Sequence, residues 1–281
     1  MPYTNYHTHS LFCDGSAEPE EYIVEALKKN IISLGFSSHA PIPIENKWSM
    51  KYERLDEYKQ TIRSLQEKYK NEIDIFLGLE IDYIPEVTTT FDEFRKKIQP
   101  DYVIGAVHLI KKEGIDALWF IDGPENNYHE GLIKIFNGDI RLAVTTYYNQ
   151  LCEMLFTQKP DIIAHFDKVK MYNRNKYFQE NEKWYLELID KTLNTIKQTG
   201  VIVEVNTRGI YKKKSDSLYP NVKILKECFL RKIPITISAD AHQPSELTAY
   251  FDETIQILKN IGFETTVVFA DGRWVERSLA V

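Results

Sequence analysis

The chain has seven histidines in 281 residues, and their spacing is the first sign of chemistry. His7 and His9 stand one residue apart in NYHTHSLFCDGS. A strand sends residues i and i+2 to the same face, so the two imidazoles would project together. Such a pair is half of a metal site, or a chance pairing on an exposed strand. The remaining histidines decide between the two. His39, His108, His165 and His242 each follow a short apolar run, as do Glu80 and Asp240, whereas His129 lies in a polar stretch and is expected to be solvated.

Those apolar runs are the elements that must position the polar residues. Strands are predicted over 2–9, 32–39, 73–80, 102–108, 161–165, 201–206 and 233–240, alternating with helices over 19–30, 55–69, 91–98, 183–199, 222–231 and 247–261. Gly200 and Gly262 stand where helix C-caps are expected. Alternating βα units indicate a largely parallel sheet, and seven strands suggest a barrel in a single domain over residues 1–281. In a β/α barrel the carboxyl ends of the strands converge on one rim, where active sites are built. Six of the seven histidines, with Glu80 and Asp240, would therefore arrive together. The least regular stretch, 111–139, is longer than an ordinary βα loop and is a candidate substrate lid.

Nitrogen and carboxylate ligands without thiolate suit borderline divalent ions such as Zn²⁺, Mn²⁺ or Fe²⁺. One ion takes roughly three or four protein ligands, so six histidines with Glu80, Asp240 and Asp14 call for two or three ions. Glu80 is placed to be shared between two of them. The formal charge of −6 offers no basic field for nucleic acid, and a small cationic or metal-assisted substrate fits the balance better. Cys13, Cys152 and Cys228 are odd in number and widely separated, which argues against a disulfide framework and for a reducing cytoplasm. No apolar stretch approaches a membrane span, and no signal-type segment follows Met1.

Taken in order, HTHS with Asp14, SSHAP at 37–41, GLE at 78–80, GAVH at 105–108, AHFD at 164–167 and SADAH at 238–242 resemble the polymerase-and-histidinol-phosphatase (PHP) family over nearly the whole chain. FCDGS, GLEIDYIP at 78–85, and VEVNTRG followed by LYP at 203–220 resemble its histidinol-phosphate phosphatase branch most. The resemblance implies a distorted seven-stranded TIM-like (β/α)7 barrel, a trinuclear metal centre, and hydrolysis of L-histidinol phosphate in histidine biosynthesis. It implies that His7, His9, Glu80 and Asp240 hold the first ion, Glu80, His108 and His165 the second, and Asp14, His39 and His242 the third. Glu80, Asp240, His242 and Arg208 are the residues expected to carry catalysis. Two other readings stay open: a PHP phosphatase or phosphodiesterase for another small ester, and a non-catalytic metal-binding barrel.

A phosphate monoester dianion repels hydroxide, so a phosphatase must neutralise charge and generate a nucleophile at neutral pH, which metal-bound water supplies. Arginine suits the remaining phosphoryl oxygens because its planar fork donates two hydrogen bonds. Arg208 follows the sixth strand in NTRG and Arg174 follows the fifth, and both are candidate phosphate ligands, with Lys212 to Lys214 as substitutes. In the loop segment DALWFID, Asp116, Asp122 and Trp119 are candidates for the cationic end of the substrate, while Phe120 is expected to pin the loop to the barrel.

Overall fold

A computed structural model describes residues 3–279. Its strands are β1 (Tyr3–Asn5), β2 (Ile31–Phe36), β3 (Asp74–Asp82), β4 (Tyr102–Ala106), β5 (Leu109–Lys111), β6 (Leu118–Phe120), β7 (Ile162–Ile163), β8 (Ile202–Asn206), β9 (Ile235–Ser238), β10 (Thr265–Ala270) and β11 (Arg273–Ser278). The helices are α1 (Pro19–Lys28), α2 (Leu55–Tyr69), α3 (Phe91–Ile98), α4 (Glu125–Phe136), α5 (Ile140–Gln158), α6 (Lys183–Thr199), α7 (Arg208–Tyr211), α8 (Val222–Leu230) and α9 (Phe251–Ile261). Seven strands form one parallel sheet in the order β1-β2-β3-β4-β7-β8-β9. Its two edges meet through a parallel bridge between Thr8 and Ala241, where His9 N–H donates to the Ala241 carbonyl at 2.8 Å. This is the distorted (β/α)7 barrel in a single domain, with β1 and β7 reduced to three and two residues. Pro2, placed in the first predicted strand, lies outside the described residues.

Two-residue periodicity explains how the barrel presents its polar groups. On β3, Ile75, Leu77, Leu79 and Ile81 join the main core, leaving Phe76, Gly78, Glu80 and Asp82 on the opposite face. On β4, Val103 joins that core while Tyr102, Ile104 and Ala106 join a second cluster with Ile162, Ala164 and Ile202. His108 is the next member of the inner series. Each inner face is thus apolar near the amino end of its strand and polar at the carboxyl end. Gly78 is required here, because a Cβ on it would lie 2.4 Å from the Tyr102 ring. The hairpin β10–β11 packs Val267, Val268, Phe269 and Trp274 onto this second cluster and closes the amino-terminal end of the barrel. Phe269 N–H donates to the Tyr6 hydroxyl at 2.9 Å.

The stretch 111–139, expected to be irregular, is instead ordered as the antiparallel pair β5–β6 and helix α4. Strand geometry corrects the aromatic assignments made there. Trp119 faces the core, fully buried, its indole N–H donating to the Tyr128 carbonyl at 2.9 Å and its ring packed on Phe136. Phe120, one residue on, faces the other way. Helix α5 was not anticipated: its buried residues form a broad band from Ala143 to Leu155 that includes Tyr147, Tyr148 and Gln150, so no narrow amphipathic stripe announces it.

Candidate metal centre

Glu80 stands at the middle of the rim. Its Oε2 lies 3.1 Å from His7 Nε2, 3.4 Å from His9 Nε2 and 3.0 Å from His39 Nδ1. Its Oε1 lies 3.2 Å from His165 Nε2 and 3.8 Å from His108 Nε2. The two oxygens therefore serve two sets of imidazoles. Three groups have ligand atoms within 4.8 Å of one another: His9, Asp14, His39 and His242; His7, His9 and Asp240; and His39, Glu80 and His108. Asp14 reaches His242 Nε2 at 3.3 Å, which places it in the cluster. His39 belongs to two groups rather than to one ion's set, and His165 approaches Glu80 and His108 without completing a group of its own. Asp240 and His165 both have positive φ, 51° and 25°, so the backbone turns over the rim in a sparsely populated conformation at two ligand positions.

A site of this kind needs each imidazole held with one nitrogen free. His7 Nδ1–H donates to Glu204 Oε1 at 2.5 Å, and His108 Nδ1–H to Asp82 Oδ1 at 2.9 Å. Both carboxylates are buried, and Glu204 also accepts from His165 N–H at 2.9 Å. Sequence reasoning missed both, although Asp82 and Glu204 interrupt apolar strands in register with Glu80 and Asn206, which is the signal that could have found them. The freed atoms are orphans: His7 Nε2, His9 Nε2 and Glu80 Oε2 are buried and make no hydrogen bond. Buried polar atoms are seldom left without partners, and their convergence is what bound divalent cations would satisfy.

The electrostatics fit the same occupants. Burial would raise the Glu80 and Asp240 carboxyls, but neighbouring imidazoles, and Arg208 beside Asp240, outweigh it and hold both well below the ordinary range. Burial, reinforced by His242 and His39, pushes the His9 imidazole well down, so it is neutral. Burial opposes charge on His7 too, yet Glu204, Glu80 and Asp240 draw its proton affinity well up, a sign of negative potential converging on that ring. Ionised carboxylates and a neutral imidazole are the forms a cation requires.

Above the cluster is a cavity of about 170 Å³ whose wall includes three cations, Lys168, Arg208 and Lys214. Lys168 is buried and its Nζ lies 2.5 Å from Asp122 Oδ2, while Lys214 approaches Asp122 Oδ1 at 3.4 Å. Burial works against the Lys168 charge, but Asp122 prevails and raises its proton affinity. Arg208 lines the cavity as expected, with one guanidinium nitrogen donating to the Asp240 carbonyl at 2.7 Å. Arg174 does not: it is exposed in a turn with φ 41°, near Glu125 at 4.0 Å, and lines a separate hollow. Lys212 pairs with Glu246 at 2.6 Å, and Asp116 is exposed at the hairpin tip. Trp48 and Phe120 stack at 6.1 Å on the cavity wall, Trp48 packing edge-on against His39 at 4.9 Å. His129 is half-buried and accepts from the Tyr177 hydroxyl at 2.7 Å.

The PHP domain matches residues 5–208, which carry seven of the nine ligand-type residues; Asp240 and His242 lie beyond that stretch and join the others only in space. This chain belongs to the PHP domain family. A probable histidinol-phosphatase of Deinococcus radiodurans is 27% identical, over 92% of this chain and 94% of the relative. The histidinol-phosphatase of Bacillus subtilis is 28% identical, over 86% and 94%. A crystal structure of histidinol phosphate phosphatase from Lactococcus lactis, complexed with zinc, L-histidinol and phosphate, shares the fold with a TM-score of 0.69 at 20% identity, covering 97% of this chain and 98% of that one.

Proposed function

We propose that this PHP protein is a metal-dependent phosphomonoesterase that hydrolyses L-histidinol phosphate to L-histidinol and phosphate. The observation that carries the reading is the meeting, in one cavity, of orphaned imidazole and carboxylate atoms with three cationic side chains. Histidinol-phosphatase relatives that align over about nine-tenths of the chain support the choice of substrate. The residues suit up to three divalent ions of the zinc, manganese or iron class, held by His7, His9, Asp14, His39, Glu80, His108, His165, Asp240 and His242. Such ions, when bound, acidify water into a nucleophile and offset phosphoryl charge.

The chain's own groups do the rest. Glu204 and Asp82 keep protons on the Nδ1 atoms of His7 and His108, so that each Nε2 faces the ligand cluster. Lys168 and Arg208 donate to phosphoryl oxygens whose charge redistributes during transfer, and the half-buried Asp122 aims the Lys168 ammonium. The stacked faces of Trp48 and Phe120 receive the imidazole and ammonium end of the substrate, the place first given to Trp119. Small phosphate esters are the expected partners, not nucleic acid, and no helix among the described residues is long and apolar enough to cross a membrane. Free cysteines fit a reducing cytoplasm as the working compartment. The test is a panel of small phosphate esters assayed on purified protein with added Mn²⁺ or Zn²⁺. The expected result is highest kcat/KM on L-histidinol phosphate. Preference for another ester would replace the substrate, and hydrolysis of none would leave a metal-binding barrel without catalysis.

A further inference from the structure

Four of the rim imidazoles have a partner for the nitrogen turned away from the centre. His7 uses Glu204, His108 uses Asp82 and His242 Nδ1 uses the Asp240 carbonyl at 3.0 Å. His9 is different: its Nδ1 lies 3.4 Å from the sulfur of Cys13. His9 is also the most shared imidazole of the cluster with His39, being common to two of the three ligand groups, and its Nε2 is a buried orphan 3.4 Å from both Glu80 Oε2 and Asp240 Oδ1.

We propose that Cys13 is a positioning residue for His9: its sulfur accepts the Nδ1 proton and so turns Nε2 to the centre. The proposal rests on the reading that the cluster holds divalent ions. The turn that delivers the sulfur is built for the purpose. Cys13 N–H and Gly15 N–H both donate to the Ser10 carbonyl, at 2.9 and 3.1 Å, folding the chain back on His9. Gly15 is needed for that approach, because a Cβ on it would lie 2.4 Å from the His9 carbonyl carbon.

Without the sulfur, the next acceptor for His9 Nδ1–H is Asp14 Oδ1 at 3.8 Å, itself a proposed ligand. Loss of Cys13 would therefore turn one ligand toward another and weaken both.

Wild type, Cys13→Ala and Cys13→Ser are loaded with Co²⁺ and titrated with chelator, following metal content and visible absorption, with thermal melting to confirm folding. Cys13→Ala is expected to release at least one ion at roughly 10- to 100-fold lower chelator concentration, with a changed cobalt spectrum, as for loss of other partners behind a ligating imidazole. Cys13→Ser, which restores an acceptor in nearly the same volume, is expected to recover most of that loss. The inference is overturned if Cys13→Ala keeps the wild-type release midpoint and spectrum, or if Cys13→Ser is no better than Cys13→Ala. Wild-type protein that binds no cobalt would instead overturn the metal reading beneath it.

Discussion

The guanidinium of Arg208 donates to the backbone carbonyl of Asp240, 2.7 Å away, so a residue proposed for phosphate also braces a proposed metal ligand. Asp240 is held with φ 51°, a conformation that persists only when its surroundings enforce it. Arg208→Ala is expected to lower kcat/KM on L-histidinol phosphate roughly ten- to a thousandfold, or about 1.4 to 4 kcal/mol. It is also expected to reduce metal retention, which a residue touching phosphate alone would leave unchanged. Arg208→Lys should recover part of the rate, since an ammonium keeps the charge but not the fork. Steady-state kinetics with metal analysis on the same samples checks both effects, and full metal occupancy in Arg208→Ala would refute the bracing role.

Glu80 offers one oxygen to His7, His9 and His39 and the other to His165 and His108, whereas Asp14 sits at the periphery with a third of its side chain exposed. Glu80→Ala should therefore release more metal and lose more activity than Asp14→Ala. Elemental analysis and kinetics finding the two variants equal would argue that Glu80 does not bridge.

Lys168 is a buried cation on the cavity wall. Lys168→Gln should raise the inhibition constant of inorganic phosphate by about tenfold, the order of one charge-assisted contact, while metal content stays at the wild-type level. An unchanged inhibition constant would remove Lys168 from the phosphate site.

Trp119 and Phe120 are neighbours with opposite fates. Trp119→Ala should cost about 3–5 kcal/mol of stability, as for a large aromatic lost from a packed core, measured by denaturant unfolding. Phe120→Ala should cost less stability and raise KM for L-histidinol phosphate more than for a phosphate ester without a cationic end. The reverse pattern would restore the original assignment.

Prolonged chelation should abolish hydrolysis, and readdition of Mn²⁺ or Zn²⁺ should restore it. Full activity in protein that elemental analysis finds free of transition metal would sink the proposed chemistry.

The rim was legible because His39, Glu80, His108, His165, Asp240 and His242 follow apolar runs, His7 and His9 form a one-apart pair, and the carboxyl ends of parallel strands share one side. Helices such as α2, α3 and α6 were legible from their amphipathic spacing. Period two places Asp82 and Glu204 inward as well, but Asp82 falls beyond the predicted strand 73–80 and Glu204 within 201–206, so neither stands at a predicted carboxyl end. Lys168 was hidden for another reason: it begins a short 3-10 turn after β7, where direction follows the turn and not the strand. The exchange of Trp119 and Phe120 shows the sensitivity of a strand to register, because a shift of one residue inverts its faces.

The hairpin β10–β11 beneath the barrel has a kinetic consequence. With that end stoppered, the cavity on the rim side is the route expected for both substrate and products. With phosphate seated against the ligand cluster and the organic half beside Trp48 and Phe120, as proposed above, the alcohol is expected to depart first and phosphate last. Inorganic phosphate should then inhibit competitively with substrate and L-histidinol noncompetitively, and product-inhibition patterns with those roles exchanged would show that phosphate has another way out.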